Sequence, residues 1–345
     1  MVRAFSRQML WWCLVFLSTN TLRAQPAPAP TSPRLFIIDD DAAFLKREVR
    51  KAGVYSAPWL PITDPDGGLE LIYALRDPGA EVLGITCAMG CSTTQVCMDS
   101  VKRILELVGK TEVPLLRGAD SPADLGRPTD AARFIVDTVM ARPGQVEIIA
   151  TAPLTNIATA IMLEPRLPQN WKMLHLASGE FLGALGQRSD AVLARYVGYQ
   201  DLNLNVDSQA ARYVLEHADH FIIYPNEIMD DARFTRADRR ALERAGTPLA
   251  VFVADEIAPF LHTLRVVNAL SGHPGIYLHG VIPVAIALDP GLADAPEELR
   301  VIMSRHQIGG FAFAVSEDAS VPTRPVYVRL RDPQTVETRL LERCQ

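Results

Sequence analysis

The sequence has no GxSxG turn, no GxxxxGK[ST] loop and no GxGxxG run after an apolar strand. Serine-nucleophile hydrolysis, phosphate cradling by a P-loop and dinucleotide binding are therefore without their usual supports. Paired CxxC motifs are missing too, which leaves the cysteines without a zinc pattern. There is no dense basic run, and the formal net charge is -6. An acidic surplus argues against nucleic acid or an anionic membrane surface as the main partner, because both are bound through Lys and Arg. No internal repeat is present, and the only biased stretch is a short Pro-rich one near the N-terminus.

What is present is ordinary globular material: 345 residues, 48% hydrophobic and 21% charged, enough for a sizeable core. Arg3 and Arg7, the apolar Met9 to Ser18 and the small-residue site Leu22-Arg23-Ala24 read as a cleavable signal over residues 1–24. The apolar stretch is shorter than the roughly 20 residues that span a bilayer. Residues 25–33 form an extended Pro-rich linker, and residues 34–345 read as one domain. The expectation is an exported chain, periplasmic or secreted, with no membrane association after cleavage. Cys13 leaves with the signal, while Cys87, Cys91, Cys97 and Cys344 remain. An even count in an oxidising space permits disulfides. A bridge of Cys91 with Cys97, a bridge using Cys87 instead, and buried free thiols all stay open.

Beyond the linker, strand and helix signals alternate. Strands are expected at 34–38, 81–85, 113–116, 146–150, 220–224 and 326–330. Helices are expected at 42–51 (stopped by Gly53), 69–76, 98–108, 131–140, 156–163, 208–216 and 334–343, and the region 232–263 reads as wholly helical. Short apolar strands between helices imply an α/β fold, a mainly parallel central sheet with helices on both faces. Ligands of such sheets bind at the carboxyl ends of strands, which selects the loops that start at Asp39, Thr86, Thr151 and Leu176.

Asp39-Asp40-Asp41 closes the first strand, and Asp64-Pro65-Asp66-Gly67-Gly68 precedes the helix after it. Taken singly, such aspartates are turn formers or N-caps. Brought to one sheet edge, they repel one another and make an oxygen-rich site suited to calcium or magnesium.

Four segments, in order, resemble the nucleoside hydrolases. RLFIIDDD with DGGLELIYALRDPGAEVLGIT is similar to that family's DxDPGxDD strand, loop and helix, split by the extra residues Ala42 to Pro65. Thr151 to Asn156 (TAPLTN) resembles TGPLTN, Asp201 to Asp207 (DLNLNVD) resembles EFNxxxD, and His279 to Pro290 resembles the C-terminal active-site run. A rival register makes Asp64 the leading carboxylate, but Arg34 to Ile38 is the better buried strand. The resemblance implies a nucleoside-hydrolase-like, Rossmann-like core, a likeness over nearly all of the mature chain, and a homo-oligomer. It implies calcium held by Asp39, Asp41, Asp66 and the Thr151 carbonyl. Asp41 is then the general base; Asp66, Asp201 and Asn203 hold the sugar; His279 protonates the departing base. The substrate is a nucleoside or another N-ribosyl compound.

The departures lie in the site itself. Gly67 and Gly280 stand where the resemblance places metal-ligand carboxylates, Gly90-Cys91 replaces a Gly-Asn pair, and Asp201 shortens an acidic side chain. Two fewer anionic ligands weaken calcium binding; Asp39, Asp64 and Glu70 are the groups able to compensate. Two functions follow: an exported ribohydrolase, or a non-catalytic protein that binds a nucleoside, a sugar or a protein on the same fold. His175 and His306 read as structural. Trp59, Phe181 and Tyr199 are aromatic candidates for a base pocket, with packing the better default for each.

Overall fold

The residues of the first strand sort by parity. Phe36 and Ile38 enter one buried cluster and Ile37 the other, as a strand between two helical layers requires. In this computed structural model, residues 32–54, 65–181, 201–271, 275–305 and 309–345 are described; the expected signal and most of the expected linker fall outside them, as do Trp59, Asp64, Tyr199 and His306. Residues 32–345 pack as one unit.

The strands are β1 (Arg34–Asp40), β2 (Ala80–Cys87), β3 (Leu115–Arg117), β4 (Val146–Ala150), β5 (Met173–Ala177), β6 (Phe221–Tyr224), β7 (Arg233–Phe234), β8 (Ile276–Tyr277), β9 (Glu297–Leu299), β10 (Val301–Arg305), β11 (Phe311–Val315) and β12 (Arg324–Val326). The first helices are α1 (Lys46–Ala52), α2 (Asp66–Leu75), α3 (Thr94–Val108), α4 (Asp130–Ala141) and α5 (Thr155–Leu163). After them come α6 (Leu202–Asn205), α7 (Ser208–His217), α8 (Asn226–Met229), α9 (Arg236–Ala245), α10 (Pro248–Ser271), α11 (Val281–Leu288) and α12 (Pro333–Cys344).

The main sheet has eight strands in the order β3-β2-β1-β4-β5-β6-β12-β9. All neighbours are parallel except the edge pair β12 and β9. The α/β expectation holds, and the order reverses between β1 and β4. Such a reversal opens the crevice where doubly wound sheets bind ligands.

Several boundaries differ from expectation for identifiable reasons. Ala42, Ala43 and Phe44 are buried on leaving β1, and α1 starts only at Lys46. The 232–263 region is not wholly helical: β7 opens it, and Gly246, left-handed at φ 68°, separates α9 from α10. The last strand ends at Val326 instead of covering 326–330, and Leu330 makes only an isolated bridge to Ala293. Cys87, Cys91, Cys97 and Cys344 are all buried, and none of them forms a disulfide.

At the amino end of the sheet, Glu147 is fully buried and gathers three bases. Arg34 Nε donates to it at 2.8 Å and Lys172 Nζ at 3.0 Å, and His175 Nε2 lies 2.9 Å away. Burial opposes its ionisation, but the bonds from His175 and Arg34 outweigh that and lower its pKa to about 2. Burial also lowers His175, which turns its Nδ1 to the Tyr224 hydroxyl at 2.9 Å and is structural, as expected. The Glu147 contribution is therefore complete above its usual value near 4.5 and is lost as the pH falls through about 2. Glu147→Gln is expected to cost about 1–3 kcal/mol in urea unfolding at pH 7. It should also flatten the acid limb of the stability curve.

Candidate active site

The carboxyl end of β1 delivers three aspartates to the switch point, and strand parity sends them to different neighbours. Asp39 Oδ1 accepts from the Thr86 hydroxyl at 2.6 Å and from Asn156 Nδ2 at 2.8 Å. Asp40, in line with Phe36 and Ile38, falls on the α2 side, where both of its oxygens are buried with no hydrogen-bond partner of normal geometry. Asp41 Oδ2 accepts from the Cys91 N–H at 2.7 Å. Cys91, which stands where the resemblance expects an Asn, makes this bond through its backbone.

Helix α2 brings Asp66 and Glu70 into the same neighbourhood, four residues apart on one helical face. Asp66 Oδ2 accepts from the Gly280 N–H at 3.1 Å, which ties the start of α2 to the start of α11. Glu70 is 0% exposed, and neither of its oxygens has a partner of normal geometry. Thr151 follows β4; its hydroxyl donates to the Asp39 carbonyl at 3.2 Å and, lying beside Glu70, eases that residue's ionisation.

Burial raises Asp39, Asp40, Asp41 and Glu70. Asp39 is pushed up to about 6, against the opposing pull of Thr86 and Asn156. Asp41 is pushed up to about 7, with Asp66 adding repulsion and the Cys91 N–H opposing it. Asp40 and Glu70 rise well above the usual carboxylate range, through burial first and then through neighbouring carboxylates. Ionising them in this place requires positive charge nearby. No closed set of three or more His, Cys, Asp or Glu ligands exists among the described residues; the carboxylates are neighbours without being drawn round one point.

The remaining expected residues lie on the β5 and α11 side. Asp201 caps α6, accepting the Leu204 N–H at 2.7 Å, and Asn203 Nδ2 donates to the Ala177 carbonyl at 2.8 Å. His279 Nε2 lies 2.8 Å from Asp230. Burial opposes charge on His279, yet Asp230, backed by Asp66 and Asp201, outweighs it and raises the pKa. Phe181 is buried against Phe313 at 5.6 Å between ring centroids, in keeping with the packing default.

Asp39, Asp40, Asp41, Asp66, Glu70 and Thr151 are thus neighbours, with Asp201 and His279 within electrostatic reach of Asp66 or of each other. Sequence reasoning missed Asp40, Asp230 and Asn226. Asp40 was legible from the period-two pattern of Phe36 and Ile38. Asp230 had no spacing signal at all. Asn226 follows β6 and keeps a buried Oδ1 without a partner.

An open parallel sheet with an acidic crevice at its switch point is the layout of α/β enzymes that act on small polar substrates. A family profile described as "Inosine-uridine preferring nucleoside hydrolase" matches residues 62–336. The chain belongs to that family, and with it to the hydrolases that act on N-glycosyl bonds. It is 27% identical over 256 residues to "Probable uridine nucleosidase 1" of Oryza sativa subsp. japonica, across 66% of this chain and 75% of that protein. With "Pyrimidine-specific ribonucleoside hydrolase RihA" of Citrobacter koseri it shares 24% over 253 residues, across 66% of this chain and 77% of the relative. A solved plant nucleoside hydrolase superposes with a TM-score of 0.71 at 19% identity, covering 90% of this chain and 99% of that one. The purine-preferring ribonucleoside hydrolase of Gardnerella vaginalis gives 0.69 at 19% identity, covering 90% and 98%. The family match begins after β1, although β1 is the strand that sits between β2 and β4.

Gly90 is the tightest point of the site. A Cβ there would stand 1.8 Å from Asp41 Oδ2 and 2.9 Å from Pro153 Cδ. Gly90→Ala is expected to displace Asp41 and cost about 1–3 kcal/mol, the range of an overpacked site. Denaturant melts of a double-mutant cycle with Asp41→Ala check the assignment. The pair should cost less than the sum of the singles, because the second change removes the clashing carboxylate.

Proposed function

We propose that this chain is an exported ribohydrolase that cleaves the N-glycosyl bond of a ribonucleoside or a related N-ribosyl compound. The observation that carries the reading is the set of buried carboxylates at the β1/β4 switch point, several of whose oxygens have no hydrogen-bond partner of normal geometry. Unpartnered buried carboxylates are costly, on the order of several kcal/mol each, and a divalent cation is the natural neutraliser. Oxygen-only donors of this kind fit calcium. Asp39, Asp41, Asp66 and the Thr151 carbonyl would hold it. When bound, calcium supplies the positive charge that keeps the carboxylates ionised and polarises water and sugar hydroxyls.

The chain's own groups do the rest. Asp41, steered by the Cys91 N–H, takes a proton from the attacking water. Asp39 is fixed by Thr86 and Asn156 and keeps the floor of the crevice rigid. Asp66, Asp201 and Asn203 orient the sugar through the acceptor capacity that their backbone bonds leave over. His279, whose pKa Asp230 raises against the opposing effect of burial, donates to the departing base. The relatives are named for pyrimidine and for purine nucleosides, so the proposal extends to the ribonucleoside class and to no single base. Residues 1–24 carry the export part of the reading, to the periplasm or the medium, and a homo-oligomer belongs to it by family.

The second reading, a binding protein without catalysis, rests on Gly67 and Gly280. It forecasts no ribose release from any nucleoside, with or without calcium. The test is ribose release from mixed nucleosides by the mature chain and by its Asp41→Asn variant. Loss of a general base is worth about 100- to 10,000-fold, and a fall of that size is expected. Turnover that survives the substitution would remove Asp41 from the mechanism.

A further inference from the structure

Gly67 and Gly280 face the carboxylate cluster, and neither is there for its backbone freedom. Gly67 lies in the first turn of α2, and Gly280 has φ of -71°, so both backbones suit any residue. What they provide is room. A Cβ on Gly67 would stand 2.6 Å from Asp40 Oδ1, and one on Gly280 would stand 2.1 Å from Glu70 Oε2. Both distances are far inside van der Waals contact, which is optimal at about 3.5–4.0 Å. In front of each glycine, then, a carboxylate from elsewhere in the chain already fills the space.

Those two carboxylates are the ones in the cluster with neither oxygen in a hydrogen bond of normal geometry. Asp40 is 1% exposed and Glu70 is 0% exposed, and all four of their oxygens lack a hydrogen-bond partner of normal geometry. The charges that act on them most strongly are other carboxylates, with no basic side chain among them. A purely structural role would be served better by apolar residues of similar volume, since burying an unpaired charge is destabilising. Glu70 lies one turn after Gly67 on α2 and has the longer side chain, which lets it reach across to the start of α11.

We propose that Asp40 and Glu70 are relocated cation ligands, bringing into the crevice the two carboxylates absent at Gly67 and Gly280. This rests on the reading of the site as a cation-dependent ribohydrolase. Each glycine is then the partner of a substitute ligand, not the scar of a lost one. The ligand set becomes Asp40 and Glu70 together with members of the Asp39, Asp41, Asp66 and Thr151 group.

The experiment is calcium titration of the mature chain by calorimetry, with thermal melts in chelator and in millimolar calcium, and with magnesium and manganese in parallel. Wild type, Asp40→Asn, Glu70→Gln, Glu70→Ala and the double variant Glu70→Ala/Gly280→Asp are compared. The isosteric variants keep the packing and remove repulsion, so in chelator they should melt at or above wild type while binding calcium roughly 10–100-fold more weakly. A merely structural role would lower the melting temperature in both conditions. The double variant returns a carboxylate to the space that Glu70 vacates and should regain most of the calcium-induced shift that Glu70→Ala loses. Wild-type affinity in both isosteric variants overturns the proposal, while ribose release by the same proteins would leave the ribohydrolase reading standing. A wild-type chain that binds none of the three cations overturns the proposal and the cation-dependent reading together.

Discussion

Mutual repulsion among buried carboxylates organises the working end of this molecule. Asp39, Asp40 and Asp41 lie at one strand end and Glu70 on the neighbouring helix, all of them 6% exposed or less. Each would be held more cheaply in water. The fold keeps them inside by spending backbone and side-chain donors on the outer members, with Thr86 and Asn156 on Asp39 and the Cys91 N–H on Asp41. The inner pair, Asp40 and Glu70, has no side-chain hydrogen bond of normal geometry. The site is consequently built to a charge condition as much as to a shape, and the condition is met by a cation or by protons.

The scaffold that imposes this crowding is the doubly wound sheet. Its order reverses between β1 and β4, so the loops after these strands diverge and leave a crevice floored by the strand ends. Hydrophobic clusters on both faces hold β1 rigid: Phe36 and Ile38 pack on the α2 side and Ile37 on the other. The Asp66 bond to the Gly280 N–H then links α2 with α11 across the crevice mouth. Movement of either helix alters the spacing of the acids, because Glu70 rides on one and Gly280 begins the other.

Much of this was legible in the sequence. Strand β4 was expected at 146–150 and runs over Val146–Ala150; the parallel sheet and the acid-bearing loops were expected as well. Those features follow from hydrophobic period and from strand ends, which are local signals. The misplaced boundaries are where tertiary contact overrides local preference, as at buried Ala42 to Phe44. Within the site, alignment to a motif drew attention to Asp39 and Asp41 and away from Asp40, although alternation from Phe36 and Ile38 placed Asp40 on the α2 side. No pattern linked His279 with Asp230, residues 49 apart in the chain. Glu70 was one of three acids expected to compensate, but its pairing with Gly280 was not legible, because a glycine in a sequence does not say which side chain stands in its place.

The contact between Glu70 and the bare α-carbon of Gly280 bears on how such a chain can change over generations. An aspartate at 280 would have to displace the Glu70 carboxylate, and losing Glu70 first empties a charged position. If Glu70 is the cation ligand proposed above, each single step passes through an impaired intermediate and the two positions are locked to one another. Chains with this arrangement should form a lineage that drifts elsewhere in sequence while keeping Glu and Gly paired. Counting carboxylates column by column overlooks such a pair, because the acid and the glycine it faces stand in different columns.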